Sequence, residues 1–129
     1  SSGGFTFLPC GSNQFINNLV SFDRSQISAD VNIGPNTDAA SFEFAQNLWY
    51  AANQSARSRP TLPSVEAGGV SGLNPLFRDA AAGDFSLPGN SPAAGKGRAL
   101  PNVRLDLRGN RYADPPTIGA FEANRPPSP

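Results

Sequence analysis

The chain echoes itself between residues 5 and 50, and the spacing of that echo limits the folds open to it. Phe15-Ile16-Asn17-Asn18-Leu19-Val20 returns as Phe44-Ala45-Gln46-Asn47-Leu48-Trp49, 29 residues later. Phe5-Thr6-Phe7-Leu8-Pro9 matches Val31-Asn32-Ile33-Gly34-Pro35 at an offset of 26. Apolar alternation at Phe5/Phe7, Val31/Ile33 and Phe42/Phe44 has period two, as a strand with one buried face requires. Pro9 and Pro35 stop the runs. Units of this length, built from short strands and polar turns, read as solenoid coils whose equivalent positions stack. Asn18 and Asn47 then become the repeated polar residue at a sharp bend, where Asn can take a left-handed backbone and hydrogen-bond its counterpart. An antiparallel sandwich of equally short strands satisfies the same alternation.

Composition agrees with a folded, turn-rich chain. Its 129 residues contain 13 Gly and 13 Pro, roughly one residue in five against a usual share of about 12%. Twelve aromatics, nine of them Phe, supply a core. There is no Met, and the chain opens at Ser1-Ser2-Gly3-Gly4, so it is expected to be a processed, excised or nicked piece of a longer protein. There is no His, which removes Ser-His-Asp and Cys-His catalysis and His-ligated zinc from this chain. Cys10 is alone and reads as a small buried hydrophobe. Ten basic residues (nine Arg and Lys96) cancel ten acidic ones, with no basic run. That pattern gives no footprint for nucleic acid. No apolar stretch approaches the ~20 residues of a membrane span.

Several side chains invite a chemical reading. Trp49 and Tyr50 precede a polar excursion that carries Arg57 and Arg59, and an aromatic flanked by Arg suits a carbohydrate platform as well as simple packing. Asp23-Arg24 follows the first repeat unit and reads as an acidic-sugar contact or as a turn. Lys96 lies in a Gly-Lys-Gly turn with no neighbour to lower its pKa. Asp79 and Asp84 supply two carboxylates where Ca²⁺ wants six to eight oxygens. Glu43 and Glu122 have no visible mate for paired acid–base work. Neither a P-loop nor GxSxG nor CxxC is present.

The second half carries an ordered set of motifs: Gly72-Leu73-Asn74-Pro75-Leu76-Phe77-Arg78-Asp79, then Gly83-Asp84-Phe85-Ser86-Leu87-Pro88-Gly89-Asn90-Ser91-Pro92-Ala93. Asp106-Leu107-Arg108-Gly109-Asn110 and Thr117-Ile118-Gly119-Ala120-Phe121-Glu122 complete it. This succession resembles the C-terminal end of secreted bacterial right-handed parallel β-helix proteins of the pectate-lyase-like superfamily. Asn74 and Thr117 stand where that pattern has Asp, and Ala94-Gly95-Lys96 lacks another.

The resemblance implies an all-β, right-handed parallel β-helix: coils over 1–50, a long loop over 51–71, a terminal coil and cap over 72–122, and a Pro-rich tail over 123–129. Phe5, Phe7, Leu19, Val31, Ile33, Phe44 and Leu48 are expected to point inward. Short apolar pairs, among them Leu76-Phe77, Phe85/Leu87, Val103/Leu105/Leu107 and Ile118/Phe121, are expected to cover the open end. The implied function is the capping part of an exported carbohydrate-active enzyme of the polysaccharide lyase type, its catalytic residues lying in another segment. The alternative is a non-catalytic extracellular or cell-surface subunit that binds glycan or assembles with other chains. Trp49, Tyr50, Arg57, Arg59, Asp23 and Arg24 are the glycan-binding candidates, and no catalytic residue or metal ligand is assigned. The expected partners are the remainder of the parent protein or neighbouring copies, together with acidic polysaccharide. The resemblance implies no cofactor in this chain, allows Ca²⁺ in the parent, and places the protein outside the cell, in the periplasm or on the cell surface.

Overall fold

The computed structural model describes residues 11–123. Five short strands form among them: β1 (Gln14–Ile16), β2 (Leu19–Phe22), β3 (Glu43–Ala45), β4 (Leu48–Ala51) and β5 (Val70–Ser71). They make two small parallel sheets, β1-β3 and β2-β4-β5. Phe15 lies opposite Phe44, and Leu19, Leu48 and Val70 form one row. The 29-residue echo is therefore the register of the parallel pairing.

A corner separates the two sheets, and the chain passes through it three times. The turning residue has positive φ each time: 62° at Asn17, 47° at Gln46 and 66° at Gly68. The next residue in each corner is Asn18, Asn47 or Gly69. The left-handed residue thus stands one position before the repeated Asn. Asn17 and Gly68 tolerate that conformation readily, whereas Gln46 is held in it by its neighbours. Gln46 N donates to Ala67 O at 2.8 Å, and Asn17 N to Ala45 O at 3.2 Å.

Asn47 is completely buried. Its Nδ2 donates to Phe15 O (2.8 Å) and Glu66 Oε2 (2.7 Å), and its Oδ1 accepts from Asn18 N (2.8 Å) and Asn18 Nδ2 (3.2 Å). Two donors and two acceptor sites are all occupied, which is the condition for a buried amide to hold a structure together.

Strand alternation sends Leu48 and Tyr50 to one side of β4 and Trp49 to the other. Leu48 joins Leu87, Ala93, Ile118 and Ala123 in the core, with Leu19, Tyr50, Val70 and Phe77 packed against it. On the other side Phe15 sits between Phe44 and Trp49, 5.9 Å from each ring centroid and near-parallel to the indole. Residues 72–123 thus fold back over one face of the three-stranded sheet.

The solenoid expectation is corrected by this topology. The described strands close no coil: they pair only as a two-stranded and a three-stranded sheet. Val31 and Ile33 belong to no strand, and Ile33 is 47% exposed. Their segment lies between two 3₁₀ turns, Arg24–Gln26 and Ala39–Ser41, and meets Pro35 and a positive-φ Asn36. Past β5 the remaining bridges, Asp79↔Asp84 and Leu105↔Arg111, are antiparallel. Pro75, Pro88, Pro92, Pro101, Pro115 and Pro116 withhold ladder donors there. Phe85, Val103, Leu105 and Leu107 are exposed rather than covering an end, while Leu87 and Ile118 are buried. Phe5 and Phe7 lie outside the described residues. The stretch 51–71 is not loop throughout, since its last residues return to the sheet as β5.

Candidate functional site

At the third corner the equivalent of Asn18 and Asn47 is Gly69, which has no side chain to continue the stack. Glu66 fills the place. A Cβ on Gly69 would collide with the Glu66 carboxylate. Glu66 Oε2 takes the Asn47 amide, and Oε1 takes the indole N–H of Trp49 at 3.1 Å. The carboxylate therefore ties the corner to the indole and fixes the orientation of the ring.

Trp49 and Glu66 line a 580 Å³ cleft between β5 and the incoming segment 59–66. Arg59, Pro63, Val70 and Ser71 also line it. Pro60 and Pro63 stiffen that wall, since each fixes its own φ. The Arg59 guanidinium has no partner among the described residues. An apolar wall, a fixed indole, a carboxylate and an uncommitted guanidinium make a site for a polar ligand with an apolar face.

The structure brings two of the sequence candidates, Trp49 and Arg59, into one cleft, and joins Arg24 to Arg57 away from it. Trp49 is 5% exposed, so it contributes a wall of the cleft rather than an open platform. Tyr50 points to the opposite face and packs on the core. Arg57 Nη1 donates to Gln54 Oε1 at 3.0 Å. Asp23 caps a 3₁₀ turn by accepting from Ser25 N. Arg24 pairs with Asp30 at 2.8 Å, donates Nε and Nη2 to Arg57 O, and lies 4.7 Å from the Phe22 ring centroid. Asp23 and Arg24 therefore organise turns, with their polar groups already engaged. Glu66 and Gly69 were missed because the offset between corners drops from 29 to 22. The signal was present: Asn17-Asn18-Leu19, Gln46-Asn47-Leu48 and Gly68-Gly69-Val70 are three polar or Gly pairs followed by an aliphatic residue.

Other carboxylates serve the backbone around them. Asp106 accepts from the amides of Glu122, Asn110 and Arg108 at 2.8–2.9 Å. Burial pushes its carboxyl up, and those amides together outweigh burial, so the pKa ends below the ordinary value. Asp23 and Asp84 are lowered chiefly by Ser25 and Ser86, and Glu43 by Arg98. Glu122 accepts from Thr117 Oγ1 at 2.6 Å and from Ala113 N at 3.0 Å. Asp79 and Asp84 exchange backbone hydrogen bonds, and their side chains serve Ala82 and Ser86. That geometry does not fit a Ca²⁺ shell. Lys96 lies exposed in its turn.

Among the described residues no helix is long and apolar enough to cross a membrane. Comparison with protein-family models, with characterised proteins and with solved structures finds no match.

Proposed function

We propose that this chain is a saccharide-binding part of an exported protein, and that the Trp49–Arg59 cleft holds an acidic sugar of a polysaccharide. The observation that carries the reading is Arg59, whose guanidinium has no partner among the described residues, lining the same cleft as an orientation-locked indole. A guanidinium matches a carboxylate in a planar, two-bond geometry. The indole and prolines suit the C–H face of a pyranose ring, and Ser71 offers a hydroxyl for ring hydroxyls.

The role proposed for the cleft is binding: the carboxylate that lines it, Glu66, is taken up by the Asn47 amide and the Trp49 indole. Where the parent protein cleaves its polymer, the lyase-type base belongs to another segment, and this cleft secures the chain.

Calorimetric titration with a uronate tetrasaccharide and with a neutral tetrasaccharide tests the reading. Binding of the uronate at least tenfold tighter, lost on Arg59→Ala, is the expected result. Equal affinity for both sugars, or uronate binding that survives Arg59→Ala, overturns it.

A further inference from the structure

The three-stranded sheet has an open side at β2. In its parallel ladder Leu48 N donates to Asn18 O at 2.9 Å and Ala52 N to Phe22 O at 2.8 Å, so the even-numbered backbone groups of β2 face β4. The N–H and C=O of Leu19 and Ser21 therefore point outward. Among the described residues no hydrogen bond reaches those four groups. Just upstream the edge is closed, since Gly119 N donates to Asn17 O at 2.9 Å. The strand reads Leu-Val-Ser-Phe and carries none of the Lys, Pro or bulge that ordinarily guards an edge.

A 710 Å³ cavity lies beside that edge. Leu19 and Ser21 line it together with Phe77, Phe85, Leu107 and Phe121, and no charged residue among those described does so. Phe85 is 49% exposed and Leu107 76%, although Phe85 meets the Phe77 ring edge-on at 5.3 Å. Exposed aromatic and aliphatic groups next to unpaired strand backbone are what a docked strand covers: the backbone supplies the hydrogen bonds, and the cavity takes the side chains.

We propose that β2 is the contact between two copies of this chain, paired antiparallel about a two-fold axis through Val20. In that register Leu19 and Ser21 of one copy exchange N–H···O bonds with Ser21 and Leu19 of the other, so every outward group on both edges is satisfied. Val20 meets its own counterpart as a β-branched cross-strand pair. The two sheets become one, and Phe85 and Leu107 of both copies come to the same side of the new junction, where each copy covers the other. The cavity holds no charge and the chain has a formal net charge of zero, so no net repulsion opposes the approach of two copies. Because the patch pairs with itself, the assembly closes as a dimer and does not continue as a filament. The saccharide cleft adjoins β5, at the other side of the sheet. The dimer therefore leaves it open, and neither proposal depends on the other.

Sedimentation equilibrium of the full 129-residue chain up to millimolar concentration, with amide hydrogen exchange on the same samples, tests the proposal. The expected result is twice the monomer mass at high concentration, with the Leu19 and Ser21 amides protected only in the dimer. Ser21→Lys puts a charge on the edge, and Leu107→Glu puts one on the apolar side. Both positions are exposed, so the monomer keeps its fold, which circular dichroism checks. Each variant should weaken the dimer about tenfold or more. Ile33→Glu, at an exposed apolar residue outside the strands and the cavity, should leave the dimer unchanged. The proposal is overturned if the chain stays monomeric throughout or if both edge variants dimerise as the unmodified chain does. It is equally overturned if Ile33→Glu weakens the dimer as much as they do, or if dimerisation leaves Leu19 and Ser21 unprotected.

Discussion

Asn47 and Glu66 share a hydrogen bond of 2.7 Å, from the Asn47 amide to Glu66 Oε2, at the point where a stack of corner residues passes from amide to carboxylate. Asn47 also accepts from Asn18, so one buried side chain joins three successive passes of the chain. The same Glu66 carboxylate holds the Trp49 indole in the cleft wall. Fold and candidate site are thus coupled through a single acidic residue.

Asn47→Leu should be among the most destabilising single changes in this chain. It strips partners from Phe15 O and Asn18 N together, and buried groups left unsatisfied cost about 1–3 kcal/mol each. Urea unfolding is expected to show a loss of about 2–4 kcal/mol. A loss under about 0.5 kcal/mol, the range of neutral surface changes, would remove Asn47 from this role.

Gly69→Ala tests the idea that Glu66 occupies the third corner. Its Cβ meets Glu66 carboxyl atoms, so the variant should lose about 1–3 kcal/mol, the usual cost of overpacking. Its single Trp should also change emission as the indole is freed. In the Glu66→Ala background the added cost of Gly69→Ala should shrink by at least about 0.5 kcal/mol, the coupling expected of residues in contact. Strict additivity would contradict the assignment.

The parallel pairing was legible in the sequence because Phe15/Phe44 and Leu19/Leu48 keep one spacing across both sheets. The Asn18–Asn47 contact was legible for the same reason. The third pass was not, since Gly69 carries no side chain and its place is filled from three residues upstream. At Val31/Ile33 two alternating aliphatics bounded by turns resemble a strand, but alternation over three residues specifies no pairing partner. Arg59 could be picked out by its nearness to Trp49. That Tyr50 faces the other way follows from strand alternation and was open to the same reasoning.

Thr117 and Glu122 provide a third test. The Thr117 hydroxyl donates to Glu122 at 2.6 Å and accepts from Ala123 N at 3.0 Å, and Thr117 is buried. Thr117→Val keeps the shape and removes both bonds, so about 1–3 kcal/mol should be lost, with Thr117→Ser retaining most of it. Equal stability of the Val and Ser variants in thermal melts would contradict this.

Acid should loosen the fold, in a stated direction. Asp23, Asp84 and Asp106 ionise below the ordinary 3.8, and Glu43 below 4.5. A carboxyl lowered in the folded state contributes stability that is present above its unfolded value and lost as pH falls through its folded value. Tm should therefore hold near neutrality and drop below about pH 4. Burial raises Tyr112 above 10.0, with Asp106 and Glu122 adding to the shift, so stability should also fall as pH rises past that value. A Tm that climbs between pH 5 and pH 3 would refute the assignment.

The central functional claim is that an acidic sugar sits in the Trp49–Arg59 cleft. It is tested most directly by mapping the chemical-shift changes that a uronate tetrasaccharide causes in the chain. The account predicts saturable changes at the Trp49 indole N–H, the Arg59 side chain and the amides of Ser64 to Ser71. No change at saturating sugar, or changes confined to residues away from that cleft, would contradict it.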